Sequence, residues 1–115
     1  MRHCNFVETV NKMSDKRKTA VVVCPGRGSY QKSELGYLQR HHAHQADLLD
    51  SFDEYRRTQQ QTTLSELDRA DHYDRSVFDR GDNASALIYA CAYADFLAID
   101  RQQYDIIGVT GNSMG

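Results

Sequence analysis

The chain has 115 residues, 40% of them hydrophobic and 26% charged, with a formal net charge of -2. These values describe one soluble globular domain or part of one, near the small end of the range that buries a core. The slightly acidic balance argues against a nucleic-acid surface, which normally needs a basic patch, and Arg56-Arg57 and Lys16-Arg17-Lys18 are too short to reverse it.

Residues 1–18 end in NKMSDKRK and hold no apolar run long enough for a signal peptide. They read as a polar, frayed leader in which Met13 offers a second start. TAVVVC, Thr19 to Cys24, is a continuous apolar run rich in β-branched residues and closed by Pro25 and Gly26. Such a run predicts a strand buried on both faces, as in a parallel sheet. The loop PGRGSY follows at once. From about Ser33 to Asp82 the chain is polar and reads mainly as helix, with Leu48, Leu49, Phe52 and Tyr55 at helical spacing on one apolar stripe. TTLSELDRADHYDRSVFDRGDN carries isolated Leu64, Leu67, Tyr73 and Phe78 among Asp and Arg, and reads as short helical turns and loop.

Asn83 has the chemistry of an N-cap for a helix running to about Ile99. Its apolar residues, including Leu87, Ile88, Cys91, Ala94 and Leu97, cover more than one face, the pattern of a deeply buried helix. The segment ASALIYACAYADFLAI contains Asp95 and is shorter than the roughly 20 residues that span a bilayer. A second buried-strand pattern, Ile106 to Thr110, then runs directly into Gly111-Asn112-Ser113-Met114-Gly115. The expected order is β–loop–α–α–β–turn, an α/β chain with parallel strands. Cys4, Cys24 and Cys91 are scattered without a C-x-x-C, which argues against a disulfide framework or zinc knuckle. Cys24 and Cys91 read as small buried hydrophobes in a reducing, cytoplasmic setting with no membrane partner.

GNSMG matches G-x-S-x-G, a pattern of low specificity alone and much higher specificity directly after a buried strand. In such an elbow the serine adopts a strained backbone conformation that lifts its hydroxyl above the carboxyl end of the sheet. Residues two before and two after it pass close together, and glycine removes the clash. The N–H of the following residue, here Met114, then points at a developing oxyanion. A second donor usually comes from a loop after another strand, and PGRGSY is placed to supply one. Two phosphate readings of that loop fail: Gln31 stands where G-x-G-x-x-G needs glycine, and no G-K-[ST] is present.

Together these residues resemble the malonyl-CoA:acyl carrier protein transacylases and the related acyltransferase domains of fatty acid and polyketide synthases. VVVCPGRGSY, NASALIYACAYADFLAID and DIIGVTGNSMG stand in the family's order at similar spacing. The resemblance covers roughly Lys18 to Gly115, the first part of a domain that normally runs to about 300 residues. Beyond the polar leader over 1–18, it implies over 19–115 the N-terminal part of a three-layer α/β-hydrolase-like acyltransferase core, truncated after the nucleophile elbow. It further implies that Ser113 is the nucleophile, taking a malonyl group from coenzyme A and passing it to the thiol of an acyl carrier protein. Backbone N–H groups of Arg27 and Met114 would form the oxyanion hole. No metal or other cofactor is implied. The family's histidine base and carboxylate-binding arginine lie downstream of the elbow, so the fragment alone is expected to be inactive.

Arg27 replaces the usual glutamine, Asn112 the usual histidine, and Ala84-Ser85-Ala86-Leu87 the usual Gln-Pro-Ala-Leu. These departures put acyl selectivity in question. A patatin-like or α/β-hydrolase esterase, and a non-catalytic remnant acting as a binding module, are the competing readings. Elsewhere, His41 to His44 lack a partner at a known metal spacing and read as a solvated helix face. Asp68, Asp71, Asp74 and Asp79 interleave with Arg69, Arg75 and Arg80, and read as a salt-bridged polar surface.

Overall fold

The computed structural model describes residues 5–11, 16–113 and 115. A mixed three-stranded sheet is joined to a group of helices. The strands are β1 (Asn5–Asn11), β2 (Lys18–Cys24) and β3 (Tyr104–Gly111), in spatial order β1-β2-β3. Between β2 and β3 lie α1 (Tyr37–His42), α2 (Ala46–Thr58), α3 (Leu64–Asp68), α4 (Arg75–Phe78) and α5 (Gly81–Leu97), with short 3-10 turns at Lys32–Glu34 and Ala43–Gln45.

β2 and β3 are parallel, from Lys18↔Tyr104 to Cys24↔Gly111, as the two apolar runs predict. The expectation of a wholly parallel sheet is corrected by β1, which lies within the segment read as a frayed leader. It pairs antiparallel with β2, from Asn5↔Val23 to Asn11↔Lys18. A register shift between Ala20 and Val21 leaves Ile107 between the partners of those two residues.

β3 is also less covered than its apolar run predicts. Ile106 packs toward Val22 and Ile99. Ile107 and Val109 are instead open to solvent, at 54% and 58% exposure, because no described element covers them.

The main core sits among the helices, where Tyr37, Leu38, Leu64, Leu67, Phe78 and Leu87 are buried together. On α2 the inner line is not the expected one. Leu49 and Phe52 pack on the core, but Tyr55 is 66% exposed and its neighbour Arg56 is buried in its place. Arg56 donates to Thr62 O at 2.6 Å, to Asp82 O at 3.1 Å and to Asn83 Oδ1 at 2.6 Å. Asn83 is accordingly not an N-cap. The cap is Arg80, and Asn83 lies inside the first turn, where its amide also donates to Val77 O at 3.0 Å. The long-range contact with Arg56 and the nearer one with Val77 outcompeted the local capping bond.

The helix buries one side rather than its whole circumference. Leu87, Ile88, Cys91 and Ala94 are inside, whereas Leu97 is 50% exposed and Tyr89 58%. Burial, reinforced by the nearby carboxylates of Asp68, Asp95 and Glu34, pushes the Cys91 thiol pKa up.

The polar surface read into the Asp/Arg segment holds for Arg75 and Asp79, paired at 3.1 Å and exposed. It fails for Asp68, which is 1% exposed. That carboxylate accepts from Tyr30 Oη at 2.7 Å and from the backbone N–H groups of Leu38 and Gln39, satisfying the start of α1. Asp53 does the same for α3, accepting from Leu64 N at 2.8 Å and from the Ser65 hydroxyl. Of the clustered histidines, His41 and His44 are exposed as expected. His42 is buried, its Nε2 lying 2.6 Å from Asp95 Oδ1.

Candidate active site

Two loops leave the carboxyl ends of the two parallel strands side by side. Cys24 and Gly111 are register partners, and the chain turns out of the sheet immediately after each. The N–H of Asn112 donates to Cys24 O at 3.2 Å, extending the pairing one residue past β3. The N–H of Gly115 then donates back to Asn112 O at 3.0 Å, closing a four-residue turn around Ser113.

Ser113 stands at φ +58°, in the left-handed region. A non-glycine residue there carries about 1–3 kcal/mol of strain that its surroundings must hold. Here glycine provides the hold. A Cβ on Gly111 would fall within the backbone of Gly115, and one on Gly115 would collide with the carbonyl of Cys24. The two outer positions of G-x-S-x-G therefore meet as the pattern predicts, and the second also rests on β2.

Gly26 performs the same service from the other loop. A Cβ there would overlap Asn112 O and come within 2.7 Å of Ser113 Cβ. Sequence reasoning placed PGRGSY to supply an oxyanion donor toward a substrate. The structure gives Gly26 a different neighbour, the serine turn itself. The spacing of a single loop carries no signal of that contact, because it depends on β2 and β3 being adjacent.

The rest of the loop is pinned at its far end. Gly28 takes φ +89°, and Gln31 Nε2 donates to its carbonyl at 3.1 Å. Tyr30 is 5% exposed, stacked over Phe78, and bonded through its hydroxyl to Asp68. Burial and that acceptor push its phenol pKa far above the ordinary value, so the group stays a proton donor. Arg27, between the clamp at Gly26 and the anchor at Tyr30, is exposed.

Of the three residues expected to act together, Arg27 and Ser113 lie on neighbouring loops at one end of the sheet. Met114 lies outside the described residues. An apolar groove of about 880 Å³ opens beside the turn, between β3 and α5, with Cys24, Pro25, Tyr93, Phe96, Val109 and Gly115 among its walls. Among the described residues, no hydrogen bond joins Ser113 to a histidine, and no group of three or more His, Cys, Asp or Glu side chains is arranged to hold a metal. No helix among them is long and apolar enough to cross a membrane. Comparison with family models, with curated proteins and with solved structures finds no match.

Proposed function

We propose that this chain carries the nucleophile and oxyanion loop of a serine acyltransferase of the malonyl-CoA:acyl carrier protein transacylase kind. The observation that carries the reading is Ser113 at φ +58°, held between Gly111, Gly115 and Gly26 at the carboxyl end of two parallel strands. A strained serine clamped by backbone is the arrangement an acyl-transfer nucleophile needs, since its hydroxyl is fixed before substrate arrives.

In the proposed reaction Ser113 Oγ attacks the thioester carbonyl of malonyl-CoA and loses its proton to a base. The N–H groups of Arg27 and Met114 stabilise the tetrahedral oxyanion. Its collapse expels the coenzyme A thiolate, which takes up a proton, and leaves a malonyl ester on Ser113. A carrier-protein thiol then attacks that ester and restores the serine. The base and the arginine that grips the malonyl carboxylate belong, on this reading, to an acyltransferase core continuing beyond the elbow. Without a base the hydroxyl is a poor nucleophile at neutral pH.

Intact-mass spectrometry tests the reading on a version extended through those segments. Incubation with malonyl-CoA should add one malonyl group to the protein and none to Ser113→Ala. Equal mass gain in both would sink the assignment. Rapid discharge of the acyl group to water, with no transfer to carrier-protein thiol, would favour the esterase instead.

A further inference from the structure

We propose that a single buried water molecule is bound in the core between α1, α2 and α5, held by His42 Nδ1 and Gln45 Oε1. Both atoms are shielded from solvent and neither has a hydrogen-bond partner within the protein. Their side chains share a cavity of about 10 Å³, walled otherwise by apolar groups that include Leu38, Leu49, Phe52 and Ala94. That volume is about what one water requires, and two polar groups meet the minimum that holds one.

Neither orphaned atom can be satisfied by exchanging ends of its side chain. The Gln45 amide is oriented by its Nε2, which donates to Ala94 O at 3.1 Å, so its oxygen must face elsewhere. The His42 ring is oriented by Nε2 against Asp95 Oδ1 at 2.6 Å, and Asp95 also accepts from Tyr37 Oη at 2.8 Å. With the proton on Nε2, Nδ1 is an acceptor, and the buried Gln45 oxygen on the same cavity is a second acceptor. A direct contact between the two would repel, whereas water donates one hydrogen to each. Should the imidazole become charged, the same water accepts from Nδ1–H and still donates to Gln45. Leaving a buried polar atom unmade costs about 1–3 kcal/mol, which is the driving force for occupancy. The water joins Tyr37, Asp95, His42, Gln45 and the Ala94 carbonyl into one polar chain across the helical core.

The test is NMR on the full chain. Imidazole nitrogen shifts should report a proton on His42 Nε2. The Ala94 methyl should show cross-relaxation to a water whose residence is long compared with tumbling. Gln45→Met removes the oxygen and fills the space, so the cross-peak should vanish while the remaining methyl spectrum keeps its dispersion. A folded wild-type chain with no such water at Ala94, or with the His42 proton on Nδ1, would overturn the proposal. If Gln45→Met does not fold, the wild-type measurement alone decides.

Discussion

The helical core and the serine turn are closed by opposite means. In the core, buried polar side chains reach across long separations: Asp53 to the start of α3, Asp68 to α1, Arg56 to α5, Asp95 to His42 and Tyr37. At the turn, closure depends on side chains being missing, since Gly26, Gly111 and Gly115 each admit a neighbouring backbone where a Cβ would overlap it. The first device tolerates variation at exposed positions but not at its anchors. The second tolerates nothing larger than hydrogen at its glycines, and it fixes one serine in a conformation the serine would not choose.

The comparison breaks first at the anchors. Asp95→Ala deprives Tyr37 Oη and His42 Nε2 of a buried acceptor and should cost about 3–5 kcal/mol in chemical denaturation. Leu87→Ala, at a fully buried position, should cost about 2–5 kcal/mol. If either proves as mild as a surface substitution, the helical half is not the stabilising half.

Gly26→Ala sharpens the contrast. Its methyl must displace Asn112 and Ser113, so the destabilisation should stay near 1–3 kcal/mol, while acylation of Ser113 in the extended protein falls about tenfold or more. A protein that loses stability but acylates normally would detach the clamp from the chemistry. On β3 itself, Val109→Ala at 58% exposure should change stability by under about 0.5 kcal/mol.

One effect has the opposite sign. Gly81 opens α5, and a Cβ added there would meet nothing within 4 Å, so Gly81→Ala should stabilise by about 0.4–1 kcal/mol. Thiol chemistry separates the regions without mutation. Burial holds the Cys91 pKa well above that of an ordinary thiol, so iodoacetamide at pH 8 should spare it until the chain unfolds, while half-buried Cys24 at the turn is alkylated in the native state.

What the sequence determined by itself is local. The apolar runs specified β2 and β3, the G-x-S-x-G spacing specified a turn that only glycine at both ends allows, and the polar middle specified helix. Each of these depends on residues within a few positions of one another, where periodicity and steric exclusion act directly. What only the tertiary structure decided is which partner each ambiguous residue found. Asn83 left the capping role for Arg56 and Val77, and Asp68 and His42 left the surface for Tyr30 and Asp95. Gly26 met Ser113 only because β2 and β3 lie side by side. A polar side chain takes the strongest partner within reach, and reach is set by the packing of elements remote in sequence.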